Sequence, residues 1–467
     1  MVPTSDVIAR LKAALGPQGW SADPDRIAPK LVEWRDRWLG ATPLLLLPAD
    51  TAEVAAIVGV CAETGTPLSI QGGNTGLVGG QIPQGELLLS TERLRAIRDV
   101  DPLDDVLVAE AGATLAQVHA AAEQVRRRFP IGLASEGSAT VGGIVSTNAG
   151  GTQVLRYGMT RNLVLGLEAV LPNGEVWNGL KRLRKDNTGY DLKQLLIGAE
   201  GTLGVVTAAA FKLFPVMTSR AVALIGIETP EAAIRLLARA KDETGGAVEA
   251  FELIGRLGMT FALRNIPRTR DPLSAPHPWY ILAEFASGEP GSAEAAMQRF
   301  LSAGLEEGLI TDAVVAQTET QGRALWGLRE NQSAAQKPEG ATWKHDVSVP
   351  VSQVPAFLAQ ATAAMQAFAP GARIAAFGHV GDGNIHYDVL RPDGGSDAEH
   401  ATRRDAGSRI VHDIVAALGG SISAEHGLGA MKTAEGARYK SAAELAVHRA
   451  IRHALDPKRI LNPRVLF

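Results

Sequence analysis

The chain has 467 residues, 46% hydrophobic and 21% charged, with a formal net charge of −4. That length suggests two or three domains and that composition a folded globular protein. No long basic tract asks for nucleic acid and no apolar run approaches the roughly 18 residues of a membrane span, while a single cysteine, Cys61, excludes an intramolecular disulfide and an all-cysteine metal site. The first residues, MVPTSDVIARLKAALG, carry Asp6 and lack the order of a secretory signal, so the expected location is cytoplasmic.

Residues 4–16 read as a short helix capped by Thr4 or Ser5, with Val7, Ile8, Leu11 and Leu15 as its apolar stripe. LLLLP at 44–48 is a buried strand, and 51–64 an amphipathic helix ended by Gly65 that holds Cys61 as a small core residue. PLSIQGGNTGLVGG is a strand entering a glycine loop, ELLLST a strand, and VLVAEAGATLAQVHAAAEQ a strand followed by a helix. From 130 to 216 short strands alternate with glycine-rich turns. LVLGLEAVLPNGEVW is a hairpin turning at Pro172-Asn173-Gly174, and TLGVVTAAAFKLFP is a strand pair. Residues 1–216 are therefore expected to form one α+β unit.

From 217 the texture changes. SRAVALIGI, VEAFELIG, WYILAEFAS, ARIAAFGHV and NIHYDVLRP are strands; TPEAAIRLLARAKDE, GSAEAAMQRFLSAGLEEG and VSQVPAFLAQATAAMQAFA are helices, the first capped by Thr229. HATRRDAGSRIVHDIVAALGG reads as one long helix. The pattern predicts a second domain, an antiparallel sheet with helices on one face.

Three glycine-rich blocks fall in the first domain. Residues 71–80, following the strand, can present consecutive backbone N–H groups to a phosphate. They match neither GxxxxGK[ST] nor GxGxxG, and a flexible surface loop is the competing reading. Residues 135–151 and 198–204 repeat the texture, and three such blocks suggest an extended polar ligand such as a nucleotide cofactor. In the second domain, Phe377-Gly378-His379-Val380-Gly381-Asp382-Gly383-Asn384-Ile385-His386 places two histidines about a glycine turn, and Ser423-Ala424-Glu425-His426-Gly427 adds a carboxylate and a third histidine. Two histidines and a carboxylate make a catalytic metal shell with an open position; surface histidines are the alternative. Trp326–Ser333 reads as helix with Arg329 and Ser333 on one face. With Lys344 they could grip a carboxylate, against the plainer reading of a surface helix with an Arg–Glu pair.

With these motifs and the block Arg184-Lys185-Asp186-Asn187-Thr188-Gly189-Tyr190-Asp191-Leu192-Lys193 in view, the chain resembles, from about residue 30 onward, the FAD-linked oxidases of the vanillyl-alcohol oxidase and p-cresol methylhydroxylase fold. Within them it is most similar to the branch of D-lactate and D-2-hydroxyglutarate dehydrogenases. The resemblance implies an FAD-binding domain at 1–216, a substrate or cap domain at 217–424, and a segment 425–467 returning to the first. It implies that Gln71, Gly72, Gly73, Asn74, Thr75, Gly76, Gly79 and Gly80 hold the FAD pyrophosphate. Ser135, Glu136, Gly137, Ser138, Thr140, Gly142, Gly143, Ser146, Asn148, Ala149, Gly150 and Tyr157, with Glu200, Gly201, Gly204, Val205 and Asn462, would line the rest of the cofactor. His379, His386 and Glu425 match the family's metal ligands, with Zn²⁺ the expected ion. His426 matches its base, and Arg329, Ser333 and Lys344 match its substrate-carboxylate positions, where threonine is more usual at the second.

One departure stands out: Asp388 lies where hydroxyglutarate members often have Asn, and a bare carboxylate there would repel an anionic substrate. Residues 71–80 contain no histidine, so FAD is expected to be noncovalent. The implied reaction is oxidation of a D-2-hydroxy acid, D-2-hydroxyglutarate first and D-malate beside it, by hydride transfer from C2 to flavin N5. An electron-transfer flavoprotein or a quinone would take the electrons, and a homodimer is left open. D-lactate or glycolate dehydrogenase is the alternative enzyme and a non-catalytic flavoprotein subunit the alternative class; no Rossmann fingerprint supports a nicotinamide enzyme.

Overall fold

The computed structural model describes residues 3–35 and 37–467 and divides into two units. One comprises the chain up to Gly151, Tyr157–Val216 and Glu425–Phe467; the other comprises Thr152–Arg156 and Met217–Ala424.

In the first unit a four-stranded sheet runs in the order Trp20–Ser21, Leu45–Leu46, Leu87–Ser90, Leu68–Gln71, the last three parallel. Parallel neighbours need a crossover, and helix Thr51–Thr64 lies between Leu46 and Leu68 in the chain. Asp50 caps it by accepting the Glu53 N–H, and Gly65 ends it at φ 68°. Its Val54, Ile57, Val58 and Cys61 share a core with Leu68, Leu87 and Leu89 and with Val170 and Val205 of a second sheet. Cys61 is thus the core residue expected, and burial pushes its thiol up to about 12, which keeps it unreactive.

The second sheet is antiparallel, in the order Ile97–Asp101, Val106–Glu110, Val205–Lys212, Val164–Val170, Val176–Gly179. The hairpin forms as read, with Val170 opposite Val176. The expected strand pair at 202–215 does not form: Val205–Lys212 is one continuous strand, and Phe214–Pro215 pairs with Arg127–Arg128. No turn former interrupts VVTAAAFK, so nothing folds it back. Helix Val141–Ser146 lies inside the glycine-rich block where strands and turns were expected. Its Gly142 packs so near Ala111 that a Cβ would stand 2.9 Å from the Ala111 methyl.

The second unit is built on a seven-stranded antiparallel sheet: Asp312–Val315, Ser219–Ile227, Trp279–Ser287, Val248–Gly255, Arg373–Gly378, Asn384–Leu390, Thr342–Ser348. Successive side chains point to opposite faces. Ala223, Ile225, Leu253, Ile281, Tyr387 and Val389 pack under the long helices Pro230–Thr244, Ser292–Glu306, Val354–Phe368 and Arg404–Ala417. The other face carries Val222, Leu224, Ile254 and Leu282, packed with residues of helices Arg256–Asn265 and Glu319–Glu330, so helices cover both faces and not one as expected, because the alternate side chains of these strands are apolar too.

Two helices break where the sequence reading ran through. Asp397–Thr402 and Arg404–Ala417 are separate. The helix of Arg329 ends at Glu330, and Ser333 belongs to a new short helix, Gln332–Ala335. At the second break the Asn331 side chain donates to the Gly327 carbonyl at 2.8 Å, beside the same residue's backbone N–H at 3.2 Å. Arg329 and Ser333 therefore do not share one helix face.

Candidate functional site: a glycine-lined cleft and a polar sheet face

Strand Leu68–Gln71 delivers the glycine loop. Gln71 is buried, and its Nε2 donates to the carbonyls of Lys30 (2.9 Å) and Gln81 (3.1 Å). Asn74, at φ 56°, donates from Nδ2 to the Val32 carbonyl at 2.9 Å, and Gln81 Nε2 reaches back to the Gly76 carbonyl at 2.8 Å. The loop is thus held by side chains, while its backbone N–H groups from Gly73 to Val78 meet no protein acceptor among the described residues. It lies against the second block: a Cβ on Gly73 would stand 1.7 Å from the Ser138 carbonyl oxygen, and one on Gly72 2.2 Å from Thr140 Oγ1. A cleft of about 740 Å³ opens here, lined by Gly72, Gly73, Asn74, Gly112 and Thr140 and by Lys30, Trp34, Glu92 and Arg95. Thr140 Oγ1 is buried in the cleft wall without a hydrogen-bond partner among the described residues. Open backbone N–H groups, an orphan hydroxyl and Arg95 fit a polyanionic ligand laid along the backbone, whereas Lys30 is paired with Glu92.

Other residues of the expected cofactor set hold this framework. Ser135 accepts through its carbonyl from Ser138 and Ala139, in the turn that contains Glu136 and Gly137. Asn148 Oδ1 accepts the Arg161 N–H at 2.9 Å, and the Ala149 carbonyl takes both the N–H and the hydroxyl of Thr160. Tyr157 packs on Phe214. Val205 is a core residue. Asn462 accepts from the Ile70 N–H at 2.9 Å and donates to the Glu200 carbonyl at 2.7 Å, so the returning segment pairs with the strand that carries the loop. Glu200, at φ 50°, turns its buried carboxylate to the N–H groups of Leu428 (2.9 Å) and Gly429 (2.8 Å). Burial pushes its pKa up, and the two N–H bonds offset this only in part. Glu200→Ala should cost about 1–3 kcal/mol, the penalty of stranding partly buried donors, read as a lower thermal midpoint with faster proteolysis next to Glu425 and His426. Those two are adjacent in this unit, His426 Nε2 standing 3.8 Å from Glu425 Oε1.

In the second unit the sheet register collects a polar stripe on one face. Lys344 pairs with Asp388, Asp346 with His386, and His386 with Phe377. The intervening Trp343, Val347, Ile385, Tyr387 and Val389 turn into the opposite core. The rings of His379 and His386 are 5.9 Å apart, centre to centre, at 73°. His386 Nδ1 is 3.8 Å from Asp346 Oδ1. His379 Nδ1 donates to Glu252 Oε1 at 2.7 Å, and Arg329 Nε donates to Glu252 Oε2, also at 2.7 Å. Burial pushes the Glu252 carboxyl up, but the histidine and arginine beside it outweigh this and hold it below the ordinary range. Lys344 Nζ meets Asp388 Oδ2 and Gln336 Oε1, each at 2.9 Å. Asp388 is therefore a paired carboxylate, and Lys344 keeps one of its three N–H donors. Glu252, Asp346 and Gln336 escaped the sequence reading. A glutamate inside the apolar strand VEAFELIG was the available signal.

Residues 42–179 match a family described as FAD binding domain, and residues 216–466 match FAD linked oxidases, C-terminal domain. The chain is 36% identical over 458 residues to the mitochondrial D-2-hydroxyglutarate dehydrogenase of Arabidopsis thaliana, covering 98% of this chain and 80% of that protein. It is 36% identical to the D-2-hydroxyglutarate dehydrogenase of Xanthomonas citri pv. viticola, covering 93% and 91%. The chain belongs to the FAD-linked oxidases.

The fold of this FAD-linked oxidase is that of p-cresol methylhydroxylase with substrate bound (TM-score 0.78, 17% identity, 99% of this chain and 97% of that one) and of alkyldihydroxyacetonephosphate synthase (TM-score 0.74, 17% identity, 99% and 85%). The architecture expected from the sequence, an FAD-binding domain of that type with an antiparallel-sheet domain, is the one found. The protein is an FAD-dependent oxidoreductase. Among the described residues no helix is long and apolar enough to cross a membrane.

Proposed function

We propose that this FAD-linked oxidase is a dehydrogenase of D-2-hydroxy acids, with D-2-hydroxyglutarate the leading substrate and D-malate beside it. The observation that carries the reading is the polar stripe of the second unit, where two imidazoles stand together beside an arginine and a lysine. The names of the relatives support the substrate class.

Bound FAD would supply the acceptor for the hydride leaving C2 of the substrate. The glycine loop 71–80 and Thr140 would hold its pyrophosphate, noncovalently. Arg329 offers a planar fork to a carboxylate, with Ser333 nearby in sequence, and Lys344 adds its remaining N–H. His426 takes the proton of the substrate hydroxyl. His379, His386 and Glu425 are the proposed ligands of a divalent cation; Asp346, 3.8 Å from His386 Nδ1 in the second unit, is a further carboxylate of the right kind. Two imidazoles and a carboxylate suit Zn²⁺, which would polarise the hydroxyl. A soluble acceptor such as an electron-transfer flavoprotein, or a quinone, and a cytoplasmic location complete the proposal.

A second reading, D-lactate or glycolate as substrate, is favoured by the Lys344–Asp388 pair, which leaves less positive charge for a second carboxylate. One experiment separates the readings: D-2-hydroxyglutarate, D-malate, D-lactate and glycolate added without oxygen to the yellow protein, followed as bleaching of the flavin. Fast bleaching by the dicarboxylates supports the first and by the monocarboxylates the second; bleaching by none removes both.

A further inference from the structure

The segment behind His426 runs through Leu428, Gly429, Ala430 and Met431 in neither helix nor strand. Backbone N–H groups outside regular structure need other acceptors, and all four find them in the glycine-rich blocks of the same unit. Glu200, in the third block, takes the first two on its carboxylate: Leu428 at 2.9 Å on Oε1 and Gly429 at 2.8 Å on Oε2. The Val78 carbonyl, in the first block, takes Ala430 and Met431, both at 3.1 Å. The contact is close. A Cβ on Gly427 would stand 2.7 Å from Glu200 Oε1, and one on Gly429 2.4 Å from the Val78 carbonyl oxygen. Glu200 is itself tied to the rest of the framework. Its N–H donates to the Ser146 carbonyl in the second block at 2.8 Å, and its carbonyl accepts from Asn462, whose side-chain oxygen holds the Ile70 N–H. One residue thus joins the three blocks to the segment behind the histidine.

We infer that Glu200 is a positioning residue that couples the cofactor cradle to His426: loop 71–80, once it holds FAD, fixes the amides of 428–431 and through them the place of the imidazole. The inference rests on the role proposed above for His426. A misplacement of about 1 Å can cost a reacting group about 100-fold in rate. Coupling between two sites is reciprocal, so the state of the cradle must be readable in the segment.

The test uses full-length protein. Glu200→Gln keeps the volume and one acceptor oxygen but turns an NH₂ toward one of the two amides. At saturating FAD and hydroxy acid, flavin reduction should slow on the order of 100-fold with KM little changed. Hydrogen exchange read by mass spectrometry supplies the second measurement. In the wild-type protein, removing FAD should speed exchange at 428–431, and returning it should restore protection. In Glu200→Gln, exchange there should be fast with FAD or without. A purely structural role would lower the thermal midpoint while leaving the FAD-saturated protein at the wild-type reduction rate, and that outcome overturns the inference. Wild-type exchange at 428–431 that ignores FAD overturns it as well, and decides the matter should Glu200→Gln fail to fold. Failure of the His426 assignment looks different: His426→Ala would reduce flavin at the wild-type rate while exchange at 428–431 still answered to FAD.

Discussion

Replacing Gly73 by valine will give a protein that purifies colourless. A Cβ at this position would stand 1.7 Å from the Ser138 carbonyl oxygen and 2.7 Å from its carbon. These are backbone atoms and cannot swing aside, so loop 71–80 or the turn at 135–138 must move. Overpacking of this kind costs about 1–3 kcal/mol, which a chain of this size can survive. The cleft is less tolerant, because Gly73 and Thr140 stand in the same wall. Flavin absorbance per polypeptide is the measurement. Gly59→Ala is the control: Gly59 lies in helix Thr51–Thr64, and outside that helix's backbone no described atom stands within 4 Å of a new Cβ. It should keep its colour and gain up to about 1 kcal/mol from helix propensity. A yellow Gly73→Val protein would mean that the cofactor lies elsewhere.

His426→Ala should retain FAD and lose flavin reduction by about 10²–10⁴-fold, the usual worth of a positioned general base. The loop after His426 is clamped by the Glu200 carboxylate at Leu428 and Gly429, and that clamp does not involve the imidazole. The substitution should therefore leave the backbone in place, so that the defect is chemical. Stopped-flow reduction at saturating substrate reads it directly. A rate near wild type would remove the base assignment; equal loss of FAD and rate would point to a damaged loop.

Much of the fold was legible because its boundaries are written in side chains. Helix Thr51–Thr64 ends at Gly65 and helix Pro230–Thr244 begins at Thr229, both as read, since a left-handed glycine and a threonine cap leave few alternatives. The capping box of Ser441 and Glu444, which opens helix Ala442–Leu455, is written in the sequence in the same way. The breaks at Asn331 and Arg403 were not legible, for helical periodicity continues across both and the Asn331–Gly327 bond is a choice made locally by one amide. The histidine motifs announced themselves by rarity. Glu252 did not, because its meaning depends on strand register: only when Val248–Gly255 lies beside Arg373–Gly378 does one carboxylate reach both His379 and Arg329. Asp388 could be flagged from the sequence as an unfavourable charge, but its pairing with Lys344 follows from two strands lying in register.

The bond between Ile70 and Asn462 joins positions 392 residues apart. Closing so large a loop is slow and entropically expensive, so the edge of the sheet bearing the glycine loop can be completed only after the whole intervening domain has been synthesised and has brought the chain back. The strand that delivers the glycine loop thereby gains its last neighbour late in synthesis, when Leu461 and Asn462 emerge.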